Sequence, residues 1–163
     1  LEDFPSVLAR RPGVSPGSFC NRAPVDALLQ YYSAATQRQE IRADLALTIP
    51  AGVPLGDVEW CTVLGNLLEN ALEACQRQSR GERRLSLPSR ATEGTRFLLV
   101  ENTYDGRCDR SEGHILSRKE GGVRCGIGLS SVRETVERHG GTMDLYPGED
   151  VFQVGITLPI HHR

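Results

Sequence analysis

The sequence has no Cys-x-x-Cys pair, no long apolar run, no surplus of either charge and no internal repeat. Five cysteines, Cys20, Cys61, Cys75, Cys108 and Cys125, are odd in number and lack the spacing of metal ligands. Neither a disulfide framework nor a zinc site is expected, and reduced thiols point to a cytoplasmic setting. No segment approaches the about 18 consecutive apolar residues of a membrane span, and no signal peptide opens the chain. A formal net charge of -2 excludes a general attraction to nucleic acid or anionic lipid. Two phosphate-binding signatures are missing as well. The Gly-Lys-Ser/Thr ending of the Walker loop is absent, and the glycines do not follow the first strand of a βαβ unit, as a dinucleotide fold requires. What is present is 163 residues, 39% hydrophobic and 25% charged, the balance of one globular domain with a real core. The chain begins at Leu1, which reads as a fragment whose parent has room for a membrane anchor.

Residues 1–23 hold Pro5, Pro12, Gly13, Pro16 and Gly17 with little periodicity, and read as a linker or lead-in strand. The domain proper is expected over 24–160, leaving 161–163, with His161 and His162, as a frayed tail. Pro24 opens a helix to Gln39 whose inner face is Val25, Leu28, Leu29, Tyr32 and Ala35. Ile41, Leu45, Leu47 and Ile49 predict a strand ending at Pro50. Asp57 is the natural N-cap of a second helix that runs to about Arg80, where Gly81 stops it. Leu85 and Leu87 mark a short strand that Pro88 places at an edge or terminates, and Glu93-Gly94 turns into a strand over Thr95 to Glu101. Asn102 to Cys125 is glycine-rich and charged, of a length more typical of a functional lid than of a connection. Ser130 to His139 forms a helix closed by Gly140-Gly141, and Thr142 to Tyr146 pairs with Val151 to Leu158 in a terminal hairpin. This order predicts a mixed α+β fold with a largely antiparallel sheet.

The second helix carries the first chemical signal. Val58, Trp60, Cys61, Val63, Leu64, Leu67, Leu68, Ala71, Leu72 and Cys75 recur at the spacing of a buried face, while Asn66, Asn70 and Glu73 fall on the other side. Asn is a poor helix former because its side chain competes for backbone hydrogen bonds, so an i, i+4 pair in mid-helix calls for a partner elsewhere. The competing reading is a solvated polar face. A second signal is Gly126-Ile127-Gly128-Leu129 between the long loop and the last helix, where free backbone N–H groups and a positive helix end can meet a phosphate. Alone it serves ordinary turns equally well.

Together the two segments resemble a known family. Asn66-Leu67-Leu68-Glu69-Asn70-Ala71 is similar to the N-box, and Gly126-Ile127-Gly128-Leu129 to the second glycine box, of the Bergerat-fold (GHKL) ATPases. Within that superfamily, Ser117-Arg118-Lys119, the run Gly-Ile-Gly-Leu-Ser-Ser-Val-Arg from Gly126, and the ending Phe152 to Pro159 resemble the catalytic domain of sensor histidine kinases. The likeness extends to the subgroup that includes quorum-sensing receptors of the AgrC type. It covers about Asn21 to Pro159 and implies a two-layer α/β sandwich, a mixed, mostly antiparallel sheet covered by helices on one face.

The resemblance also assigns roles. ATP and Mg²⁺ are implied as ligands, bound between the asparagine helix and the Gly126 helix start, beneath a lid over 103–125. Asn70 is the implied Mg²⁺ ligand, since a neutral oxygen suits an ion that keeps several waters and draws on the nucleotide phosphates. Asn66, on the same face, can reach a phosphate or a metal-bound water. ATP-hydrolysing relatives carry a glutamate there; an amide accepts no proton at neutral pH, which favours phosphoryl transfer over hydrolysis. Asn102 stands where most of the superfamily has an adenine-reading Asp, and the usual Asp-x-Gly-x-Gly is missing. An Asn oxygen still accepts from the adenine amino group, with Asp105-Gly106 as a rival for a displaced box. Lys119 is the catalytic cation expected at the γ-phosphate, with Arg118 and Arg124 as competitors. Gly126, Ile127, Gly128 and Leu129 complete the nucleotide site. Glu73 either faces the metal or is a solvated helix acid. His114 and His139 lack the setting of a phosphoacceptor, and His139 at a helix end suits the dipole.

The implied activity is transfer of the γ-phosphoryl group to a histidine on dimerisation helices upstream of Leu1, then to a response regulator. The fragment is expected to be monomeric or weakly associating. Two alternatives stand beside this: a serine kinase of the anti-sigma-factor type, and a degenerate nucleotide-binding module.

Overall fold

The computed structural model describes residues 17–106 and 126–162, with the side chains of Gly126 and Ile127 excepted. Helix α1 spans Ala23–Arg38 with Pro24 in its first turn, where a missing N–H costs no hydrogen bond. Asp26 reaches back from that turn to accept from the amides of Phe19 (2.6 Å) and Cys20 (3.0 Å), so the described end of the lead-in is bound to the domain. Asn21 adds a two-point clasp: it donates to the carbonyl of Ile49 and accepts from the Ile49 amide, each at 2.8 Å. The helix ends with Glu40 at φ 56, a left-handed position, while the Ile41 amide returns to the Thr36 carbonyl at 2.9 Å.

The segment expected as a strand over Ile41 to Ile49 contains a regular strand only at β1, Arg42–Asp44, with one parallel bridge between Leu47 and Cys20. Ile41, Leu45, Leu47 and Ile49 are nonetheless all buried. The alternating pattern reported burial correctly and pairing only in part, because β1 has a single sheet neighbour.

Helix α2 is Asp57–Arg77. Its N-cap is Gly56, and Asp57 is already helical; the Asp57 carboxylate pairs instead with Arg22 at the start of α1, 2.8 Å away. Glu59 turns back to the Gly56 amide at 3.3 Å, satisfying one of the donors a helix start leaves free. Arg77 is the last helical residue, three short of the expected end, and the buried Gln78 side chain closes the following turn by donating to the carbonyls of Arg80 and Glu82. Val58 was expected on the inner face and is 80% exposed. At 100° per residue it falls about 130° from the centre of the buried stripe, on the outward side of the helix. Cys61 is half-buried, and the other eight inner-face residues are buried as expected.

Strands β2 (Arg84–Ser86) and β3 (Ser89–Ala91) lie in line along one side of β4 (Thr95–Thr103), separated by Leu87 and Pro88. The expected Glu93-Gly94 turn therefore joins β3 to β4, and β3 itself was not anticipated. Helix α3 (Gly126–Arg138) is followed by β5 (Thr142–Pro147) and β6 (Val151–Pro159). It begins four residues before the predicted start, so the glycine motif occupies its first turn. Gly140, at φ 80, ends it, with the Gly141 amide on the Val136 carbonyl at 2.9 Å.

The sheet order is β1-β2-β4-β6-β5, all antiparallel except the β1–β2 pair, whose crossover contains α2. The three helices cover one face. Leu85, Leu98, Val100, Met143, Val154 and Ile156 from the sheet join Leu29, Trp60, Leu64, Leu68, Val132 and Val136 from the helices in one core. Arg96, on the same face of β4, is buried and ties the chain at Thr48 to β3 through the Thr48 carbonyl and Ser89 Oγ. The C-terminal tail is not frayed at its start: the His161 amide donates to the Gly52 carbonyl at 2.9 Å, and the His162 ring contacts the Glu93 carbonyl. No helix among the described residues is long and apolar enough to cross a membrane.

Candidate nucleotide site

Helices α2 and α3 pack against one another over the sheet, and they meet where the two sequence signals lie. A Cβ placed on Gly128 would lie 3.4 Å from Asn66 Oδ1 and 3.7 Å from its Cβ. The Asn66 carboxamide thus rests against the bare backbone of the first turn of α3. Asn70 is one turn further along the same stripe of α2, and both asparagines are half-buried. Amides of a helix's first turn have no partner within their helix, so those of α3 are available beside the two carboxamides. Donors at a helix start and neutral oxygens on an adjacent helix form a surface complementary to a phosphate chain with its cation. The small residue at 128 is what keeps that space open.

Asn102 lies near the end of β4, on the face that carries Leu98 and Val100 beneath the helices. It is buried, and its Nδ2 donates to the Thr103 carbonyl at 3.0 Å, which orients Oδ1 as the free acceptor. Thr103 in turn accepts from the Arg84 amide at 2.9 Å and lies against Cys75 Sγ, which is 3.6 Å from the Thr103 carbonyl. Cys75 is five residues beyond Asn70, so the end of β4 is adjacent to the asparagine half of α2. Burial pushes the Cys75 thiol above its ordinary pKa, partly offset by the Thr103 hydrogen bond, and the thiol is a packing group.

Tyr32 of α1 supports α2 from behind. Its buried hydroxyl points at the Glu69 carboxylate (3.0 Å) and the Gly65 carbonyl (3.3 Å), the residues immediately preceding Asn70 and Asn66. Burial holds the phenol well above its usual pKa, and the Glu69 carboxylate adds to the effect. At the opposite end of the helix pair, His139 Nε2 lies 2.6 Å from Glu59 Oε2, with Arg138 Nη2 3.4 Å from the same oxygen. The His139 hydrogen bond is the main reason the Glu59 carboxyl lies below its usual pKa; the Gly56 amide and Arg138 contribute in the same direction. Sequence reasoning credited His139 only with favouring the helix dipole, since its partner is 80 residues away.

Among the expected site residues, the structure thus brings Asn66 and Gly128 together and places Asn70 and Asn102 on the same side of the molecule. Glu73 is exposed, with no side-chain partner among the described residues. Leu129 is buried in the core, so it anchors the first turn of α3 and offers only its backbone to a ligand. Asp105 is exposed beyond the end of β4. Lys119, Arg118, Arg124 and His114 lie outside the described residues, as does the expected 103–125 lid from 107 onward; its first residue, Thr103, belongs to β4. No group of three or more His, Cys, Asp or Glu that could hold a metal occurs among the described residues. A polar concavity of about 230 Å³ opens elsewhere, among Arg42, Asp44, Arg84, Ser86, Glu101 and Val151 at the β1 side of the sheet.

The GHKL domain family matches residues 55–159, a stretch from the turn before α2 to the end of β6 that contains both asparagines, Asn102 and the glycine box. The chain belongs to the GHKL domain family. No curated protein matches it. Solved structures match in fold. The catalytic domain of the histidine kinase ThkA, in a nucleotide-free form, is similar at a TM-score of 0.63 and 19% identity, over 85% of this chain and 92% of that one. The mycobacterial sensor histidine kinase MprB gives 0.58 and 16% identity over 85% and 97%. AdeS, a histidine kinase of Acinetobacter baumannii, gives 0.60 and 17% identity over 86% of this chain and 64% of that one. At these identities the likeness is one of fold.

Proposed function

We propose that the chain is the ATP-binding catalytic domain of a sensor histidine kinase, transferring the γ-phosphoryl group of Mg-ATP to a histidine on a separate helical segment. The observation that carries this reading is the contact of the Asn66 carboxamide with Gly128, which joins the N-box and the glycine box into one wall. Asn70 holds Mg²⁺ through its side-chain oxygen, and the bound ion neutralises phosphate charge. The first-turn amides of α3 bind and orient the phosphates, while Asn66 donates to a phosphate oxygen. Asn102 Oδ1 accepts from the adenine amino group, and the Thr103 carbonyl fixes the carboxamide in that orientation. Lys119 is proposed as the cation at the γ-phosphate on the sequence resemblance alone.

The chemistry at position 66 favours transfer. An amide removes no proton from water, so the described residues orient the nucleotide without activating hydrolysis. Positioning the acceptor is most of the catalytic task in phosphoryl transfer, and the acceptor is on another segment. The chain alone should therefore bind ATP and turn it over poorly. The test is to incubate the chain, joined to the segment that precedes it in the parent protein, with γ-labelled ATP and Mg²⁺. An acid-labile, base-stable phosphoryl group supports transfer to histidine; acid-stable phosphate on a separate antagonist protein supports the serine kinase instead. No incorporation of label, with ATP bound, leaves a binding module.

A further inference from the structure

Glu59 and Asn66 are seven residues apart on α2, two turns, and so lie on one stripe of that helix. Helix α3 runs along this stripe in the opposite direction, with Gly128 against Asn66 at one end and His139 against Glu59 at the other. The two contacts differ in kind. The first is a packing contact between a carboxamide and bare backbone. The second is a hydrogen bond of 2.6 Å to a carboxylate that is itself fixed by the Gly56 amide at 3.3 Å. Charge-assisted bonds of this length are directional, so they resist sliding as well as separation.

The His139 end of α3 is further restrained against the sheet. A Cβ on Gly141 would meet the Thr157 carbonyl oxygen at 2.2 Å, and Arg133 donates to the Met143 carbonyl at 3.0 Å. The first turn has no comparable directional bond to α2 among the described residues. Leu129, Val132 and Val136 hold the helix to the core by non-directional packing, and a rigid helix transmits a displacement of one end to the other, so the directional restraint at His139 also bears on where the first-turn amides stand relative to Asn66 and Asn70.

We propose that Glu59 and His139 are positioning residues that fix the axial register of α3 against α2, and thereby the spacing between the α3 amides and the α2 carboxamides that receive the phosphate chain. The inference rests on the nucleotide site proposed above and adds to it two residues that touch no nucleotide. Its signature is selective: adenosine, read by Asn102 at the end of β4, is bound independently of α3 register, whereas the triphosphate is not.

The test is calorimetric titration of the full chain with Mg-ATP and with adenosine, for the unsubstituted protein and for Glu59→Ala, His139→Ala, the double variant and His139→Gln. The expected result is an affinity for Mg-ATP lowered about tenfold in either single alanine variant, the size of one hydrogen bond to a charged group in a partly exposed setting. The double variant is expected to be no weaker than the singles, and His139→Gln, which keeps a donor, to recover most of the loss. Adenosine affinity stays unchanged throughout. Equal weakening of adenosine and ATP, additive losses in the double variant, or unchanged ATP affinity in both alanine variants overturns the register lock while leaving the nucleotide site intact. Absence of ATP binding by the unsubstituted chain overturns the site itself.

Discussion

Gly128 is the residue at which sequence and structure make the sharpest joint statement. Gly is about 1 kcal/mol less favourable than Ala in a helix interior and costs less in a first turn, where Gly128 stands. Asn66 Oδ1 lies 3.4 Å from where a methyl group would stand, an ordinary van der Waals contact, so alanine fits the packing and would only narrow the space beside the carboxamide. Gly128→Ala should therefore leave the thermal midpoint unchanged or raise it, while weakening ATP binding by placing a methyl group in the phosphate space. Thermal unfolding followed by nucleotide titration separates the two effects, and an alanine variant with undiminished affinity would show that the space is not used. Glu59 makes a prediction of a different kind. Its carboxyl is held below the usual value, so its contribution to stability is present above the unfolded carboxylate range, about pH 4, and is lost as pH falls through the lower folded value. Glu59→Gln should accordingly flatten part of the acid limb of a stability-against-pH curve and change little at neutral pH beyond a constant offset.

At the scale of elements, helices were legible and short strands were not. The inner stripe of α2 was read from spacing because a helix buries a fixed set of positions whatever its neighbours. β1 has three residues, all exposed, and β2 and β3 have three each; β2 and β3 pair with β4 and β1 only with β2, and strands this short carry little periodicity of their own, although Leu85 did mark the place of β2. Val58 failed as an inner-face residue because it lies two residues before Trp60, about 130° around the helix from the centre of the buried stripe, so its apolar side chain did not mark that stripe. The two signals of the site were legible as motifs, whereas their contact was not, since 62 residues separate Asn66 from Gly128. The Glu59–His139 bond was invisible for the same reason.

Two element-scale predictions follow from the helix ends and the core. Glu40 occupies a left-handed position that costs a non-glycine residue roughly 1 kcal/mol, so Glu40→Gly should stabilise the chain by up to about that amount in urea unfolding. The outcome against it is a lower midpoint. Trp60, fully buried on α2, should cost about 3–5 kcal/mol when replaced by Ala. As the sole tryptophan of this chain, it also reports unfolding by its own fluorescence in the unsubstituted chain, so the variant must be followed by circular dichroism.

For the whole molecule, a sheet covered by helices on one face places every expected ligand-facing group of the described residues on that side: Asn66 and Asn70 from α2, the first turn of α3, and Asn102 from β4. The GHKL family match over 55–159 spans all of them, and the fold agrees with that of histidine kinase catalytic domains. None of these four groups is a carboxylate, in keeping with the proposed role of holding a nucleotide for transfer. The arrangement makes Asn70 the residue on which cation-dependent binding should turn. The direct measurement is calorimetric titration of the chain with ATP, with Mg²⁺ and with a chelator, repeated for Asn70→Ala. Saturable binding that needs Mg²⁺ and falls at least about tenfold in a folded Asn70→Ala variant is the predicted result. No binding, or binding indifferent both to the cation and to Asn70, would contradict it.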